Sequence, residues 1–111
     1  MQKGKKLLRI IEEIRKFDSQ LEAQAIAVFF YVGVYGGKNG IKMQTMIDEL
    51  DIAQSSISRN CFKLSVFNRH GKTGIGLLET LEDPMERRRK LVRLTAKGRR
   101  VFDSLTDLIS D

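Results

Sequence analysis

Apolar residues recur at three- and four-residue intervals towards both ends of this chain and alternate with basic ones around residue 91. That change of period divides the chain into elements. Leu7, Ile10, Ile11, Ile14 and Phe17 share one stripe of a first helix. Ser19, with Glu22 three residues on, is a capping-box signal for a second helix through Ala23, Ile26, Phe29 and Phe30. This second helix is apolar almost all round, so it must be covered on several sides. Gly36-Gly37-Lys38-Asn39-Gly40 ends it, because glycine enters the left-handed conformation freely. The glycines lack the spacing and the following Ser/Thr of a phosphate-cradling loop, so they read as a turn.

After a short extended Ile41-Lys42, the residues Met43, Met46, Ile47 and Leu50 mark a two-turn helix, and Asp51-Ile52-Ala53 a tight turn. In the helix that follows, Ile57, Cys61 and Leu64 share an inward face. Gln54, Ser55, Ser56, Ser58, Arg59 and Lys63 lie largely on the others. A short helix, a turn and a helix presenting small polar and basic groups have the composition of a helix-turn-helix, although a plain helical hairpin with a polar outer face would show the same residues. A strand-like stretch over 75–81, the Asp83-Pro84 turn and the alternation Lys90-Leu91-Val92-Arg93-Leu94 predict a two-stranded hairpin directly downstream. Glu86-Arg87-Arg88 falls at its tip. Thr95 then caps a last helix over 96–109, with Val101, Leu105, Leu108 and Ile109 on one stripe. The expected fold is mainly α with a small β-hairpin (α+β), a winged helix-turn-helix with flanking terminal helices. It forms one domain over 1–111: N-terminal helices over 5–36, helix-turn-helix over 43–67, wing over 75–95 and C-terminal helix over 96–109.

Charge sharpens this picture. Residues 83–100 hold Arg87, Arg88, Arg89, Lys90, Arg93, Lys97, Arg99 and Arg100 against Asp83 and Glu86, and this local excess equals the +6 of the whole chain. A solvated basic face is one outcome of such a run. A polyanion reader is the other, since each Lys or Arg that neutralises a phosphate releases condensed counterions. The candidate recognition helix has side chains suited to a major groove: Gln and Asn pair bidentately with adenine, Arg with guanine, and Ser with bases or phosphates. An arginine on a thin projection can enter a minor groove.

Two segments, in this order, resemble the MarR family of bacterial winged-helix transcriptional regulators. Ile52-Ala53-Gln54-Ser55-Ser56-Ile57-Ser58-Arg59 is similar to that family's recognition-helix opening. Asp83-Pro84-Met85-Glu86-Arg87-Arg88-Arg89-Lys90-Leu91-Val92-Arg93-Leu94-Thr95-Ala96-Lys97-Gly98-Arg99 is similar to its wing and following helix. The resemblance implies that Arg87 is the wing arginine with Glu86 as its acidic neighbour, that Ser55, Ser56, Ser58 and Arg59 face the major groove, and that the chain dimerises through its terminal helices. This sequence departs from the family in its shorter length, in an apparent extension over 67–74, in Ala53 where a capping Ser is expected, and in Glu86 where aspartate is usual.

Other classes find little support. The longest apolar run, 25–35, is well short of the roughly 20 residues that span a bilayer. One cysteine excludes an internal disulfide, and the charged N-terminus is unlike a signal peptide, so a reducing cytoplasm is expected. The lone His70 lies in a Gly- and Lys-containing loop, and no metal-ligand cluster or catalytic constellation is present, so neither an enzyme nor a cofactor is expected. Cys61 belongs with the core rather than with a redox switch.

The expected partner is double-stranded DNA, bound through Gln54, Ser55, Ser56, Ser58, Arg59, Lys63, Arg87, Arg88 and Arg89 by a homodimeric transcriptional repressor. The terminal stripes are too much apolar surface for one small core to cover, which supplies the dimer argument. No small-molecule effector is assigned. A protein-interaction module, which Phe62 and Phe67 exposed on the recognition helix would favour, and a replication or partition factor are the alternatives.

Overall fold

The structure, a computed structural model, describes residues 2–65 and 74–110. Five helices and three strands follow one another as α1 (Lys3–Arg15), α2 (Ala23–Tyr35), β1 (Ile41–Lys42), α3 (Met43–Leu50), α4 (Gln54–Leu64), β2 (Leu78–Asp83), β3 (Glu86–Leu94) and α5 (Ala96–Asp107). This is the expected α+β winged helix-turn-helix arrangement. The 67–74 extension, with Phe67 and His70, lies outside the described residues except for Gly74.

The apolar helix α2 is the centre of the fold. Ala25, Val28, Phe29, Val32 and Gly33 are buried along it, and α4, β3 and α5 pack against it. Gly33 is required by this packing, since a Cβ there would overlap the Phe102 ring, which meets Phe29 edge-on at 6.1 Å and Phe30 at 6.4 Å. The capping box expected at Ser19 and Glu22 does not form: α2 begins at Ala23, and neither side chain caps it. Asp18 takes the local hydrogen bond instead, its Oδ1 accepting from the Gln20 N–H at 2.9 Å, which bends the chain into a turn before the helix can start.

The hairpin gains a third strand. Ile41-Lys42 pairs with β3 in the register Ile41↔Val92 and Lys42↔Leu91, giving the antiparallel order β1-β3-β2. Two residues carry no periodicity, so only the tertiary pairing marks them as a strand. β2 starts at Leu78 rather than Ile75, because 75–77 pass across the end of α4. There the Leu77 N–H donates to the Leu64 carbonyl at 2.8 Å and the Gly76 N–H to the Ser65 carbonyl at 3.1 Å. Carbonyls at the end of α4 that no helical N–H can reach are thereby satisfied. Gly76, at φ 80°, makes the turn possible.

The terminal stripes divide between core and surface. In α1, Ile14 is buried and Ile10 half-buried, whereas Leu7 is 64% exposed. In α5, Leu105 is buried and Val101 half-buried. The helix itself stops at Asp107, and Leu108 and Ile109 follow in a turn. Leu105 therefore belongs to this chain's own core and not to surplus surface. The remaining exposed apolar groups at the described ends are Leu7, Leu8, Ile11, Phe17 and Ile109.

The junction of β2 and α5 is tight. The Leu77 carbonyl accepts from the Thr95 N–H at 3.1 Å, and a Cβ at Gly98 would strike that same carbonyl. Thr95 caps α5, its Oγ1 accepting from the Gly98 N–H at 2.9 Å. Replacing Thr95 by Ala should cost about 1 kcal/mol through loss of the cap. Gly98→Ala should cost more, up to about 3 kcal/mol, although Ala is the better helix former, because the methyl group has no room. Urea unfolding of both variants checks this, and a Gly98→Ala chain as stable as the parent would contradict the close approach.

Candidate nucleic-acid interface

Helix α3 ends where Asp51 takes the left-handed conformation at φ 52°, and two residues later α4 begins with no side-chain cap at Ala53. Ile57, Cys61 and Leu64 fix its orientation by burying one face. Asn60 joins them at 2% exposure, so it is not on the outer surface. Its Nδ2 has no hydrogen-bond partner among the described residues. On the opposite side Ser55, Arg59 and Phe62 are exposed along one line of the helix, with Ser56 and Ser58 half-buried on its flanks. Lys63 is drawn away from this face, its Nζ 3.7 Å from the Asp18 carboxylate between α1 and α2.

The wing differs in detail from the sequence expectation. Its two turn residues are Pro84 and Met85, and Asp83, itself buried, accepts from the Met85 N–H at 2.9 Å. The arginines stand on β3 behind the tip, not at it. Between the pairs Glu82↔Lys90 and Asp83↔Glu86, β2 advances by one residue and β3 by four, so Arg87, Arg88 and Arg89 are three extra residues at an irregularity of the ladder. Such an insertion disrupts the local pairing and bends the strand that carries it. All three are exposed.

The basic run is also divided in its tasks. Arg93 lies across from Glu79 at 2.7 Å and donates to the Lys38 carbonyl at 3.1 Å, which ties the sheet to the loop before β1. Lys97 donates to the Ile75 carbonyl at 2.8 Å and covers the Phe17 ring. Arg99 reaches Asp103 at 3.9 Å and lies over Phe102. Arg89 pairs with Glu86 at 3.0 Å. Arg59, Arg87, Arg88 and Lys90 have no ion pair among the described residues, so their charge faces solvent.

A groove of roughly 470 Å³ collects the two halves of the site. Gln54 from the start of α4, Lys42 and Gln44 from β1 and α3, and Arg88, Arg89 and Lys90 from the wing all line it, with Asp48 the carboxylate among them. Gln44 donates to that carboxylate at 3.0 Å. A cationic groove beside the positive end of a helix is suited to a phosphate backbone. Lys42 and Gln44 were not anticipated from the sequence: nothing in their neighbourhood marks them until β1 pairs with β3. No group of residues that could hold a metal ion occurs among the described residues.

No family model matches the chain, and no curated protein matches it. Solved structures do. A MepR mutant from an S. aureus clinical isolate superposes with a TM-score of 0.68 at 17% identity, over 90% of this chain and 64% of that one. The S. aureus MepR-DNA complex gives 0.71 at 16% identity, over 95% and 77%. A MarR-family transcriptional regulator from a Rhodococcus species gives 0.63 at 20% identity, over 95% and 65%. The fold is therefore that of the MarR-family winged-helix regulators, and this chain spans about two thirds of the length of the first and third of these structures.

Cys61 is buried on the inner face of α4, and burial pushes its thiol from an ordinary value near 9 up to about 12. The folded state thus favours the neutral thiol. The stabilisation from this is complete below the unfolded value and is lost as the pH rises from about 9 towards 12. The folded protein should resist a thiol-directed maleimide at pH 8 and label only at the rate at which it opens. Labelling as fast as in urea would contradict the burial.

Proposed function

We propose that this chain binds duplex DNA sequence-specifically as a homodimer and represses transcription by occluding a promoter. Helix α4 enters the major groove and the wing lies along the adjacent minor groove. The observation that carries this reading is the groove in which Gln54 of α4 faces Lys42, Arg88, Arg89 and Lys90, so that base-reading and phosphate-binding groups share one surface. On α4, Ser55 and Arg59 supply the outward polar line, with Ser56 and Ser58 beside it. Lys63 takes a supporting place at the helix end, where Asp18 holds it. The MepR-DNA complex among the similar structures supports the same assignment.

The exposed Leu7, Leu8, Ile11 and Ile109 at the chain ends support a dimer through the terminal helices, in place of the α5 stripe that folds inward. No helix among the described residues is long and apolar enough to cross a membrane, which suits a protein working on DNA in the cytoplasm. Phe62, 46% exposed on the outer line of α4, is the observation on this helix that favours a protein partner. A single ring beside Arg59 also suits apolar contact with thymine methyl groups, and the unpaired wing charge supports DNA.

The test is the salt dependence of binding. Exchanging Arg87 and Arg88 together for Ala should lower affinity at low salt by two or more orders of magnitude and flatten the log–log salt slope by about two. Arg93→Ala should leave the slope intact and reduce thermal stability instead, because Arg93 is held by Glu79 and Lys38. An unchanged slope in the double variant would remove the wing from the interface.

A further inference from the structure

The wing ends on an apolar group. Met85 is 90% exposed, more than any other large hydrophobic residue described, while its neighbours Glu82, Glu86, Arg87, Arg88, Arg89 and Lys90 are exposed and charged. Its backbone is not loose: the buried Asp83 carboxylate accepts the Met85 N–H, and Pro84 before it has its φ fixed by the ring. The extra residues 87–89 put their arginines directly behind this tip. Glu86 pairs with Arg89, which leaves Arg87 and Arg88 as the cations next to Met85 along the chain with no ion pair among the described residues.

From this arrangement we infer that Met85 is a wedge that enters the minor groove and partly unstacks a base step, with Arg87 and Arg88 on the flanking phosphates. The inference rests on the DNA-binding reading and extends it to the deformation of the duplex. Flexible apolar side chains at a projecting tip are the groups that separate stacked bases, and Met and Pro are both used in this way. The arginines hold the tip in the narrow groove, where the negative potential is strongest. Steps that unstack easily, pyrimidine followed by purine, would then be favoured under the wing although no side chain reads their edges.

The experiment uses the whole protein and a bound duplex taken from a random pool, with 2-aminopurine moved one position at a time along it and dyes on its two ends. Unmodified protein should raise 2-aminopurine fluorescence at one step in each wing footprint and shorten the end-to-end distance. Met85→Ala should lose both signals while binding within about tenfold of the parent, since phosphate contacts supply most of the affinity. Met85→Leu, which keeps an apolar wedge, should retain them. Equal profiles for parent and Met85→Ala would overturn the wedge and leave DNA binding standing. If the unmodified protein binds no duplex at any salt concentration, the DNA reading fails and the wedge fails with it.

Discussion

The backbone of Leu77 ties α4, the wing and α5 together. Its N–H donates to the carbonyl of Leu64 at the end of α4, and its C=O accepts the N–H of Thr95 at the start of α5. Between these two bonds the chain enters β2 and hence the wing. Each side of Leu77 therefore fixes one element relative to another: α4 to the strand on one side, the strand to α5 on the other. Gly98 presses against the same carbonyl, and the side chains of Leu77 and Leu78 are both buried. Without these two backbone bonds, the groove between α4 and the wing would lose one of its fixed links, and helix-end groups would be left without partners.

Packing and charge are kept on separate surfaces by the same geometry. The inner face of α4, with Ile57, Cys61 and Leu64, is occupied by the core built around α2, which leaves Ser55, Arg59 and Phe62 outward. Along β3 the register with β2 holds Val92 and Leu94 in the core and Arg93 on Glu79. It breaks only beyond Lys90. The ladder is thus interrupted at the arginine run and resumes only at Asp83↔Glu86, and the charges most useful to a polyanion are those that the fold does not employ. Among the basic residues of 83–100, Arg93 and Lys97 hold loops and strands in place.

The sequence was legible where periodicity or cap chemistry is local. The α4 face, the tight turn at Asp51-Ile52-Ala53 and the Thr95 cap all follow from residues within one or two turns of each other. It was misleading where a distant partner decides. Ser19 looked like a cap, but Asp18 captured the turn; Ile75 looked like a strand residue, but the peptide groups next to it serve the end of α4. Arg87 and Arg88 were expected at the wing tip because counting from Pro84 assumes a regular hairpin, and the extra residues 87–89 break that count. Lys42 and Gln44 could not be found at all, since their place in the groove is made by the pairing of Ile41-Lys42 with Leu91 and Val92. Leu105 was assigned to surplus surface because the amount of core that α2 demands is not visible in a single stripe.

In the proposed DNA-bound form, two copies of this surface read one duplex, each with its α4 in a major groove and its wing alongside. Repeated selection of bound fragments from a random duplex pool tests this most directly. The account predicts a two-fold symmetric motif whose half-sites lie about one helical turn apart, roughly 10 base pairs, with preferences also at flanking steps under the wings. Recovery of a single asymmetric half-site, or of no enriched sequence, would contradict it.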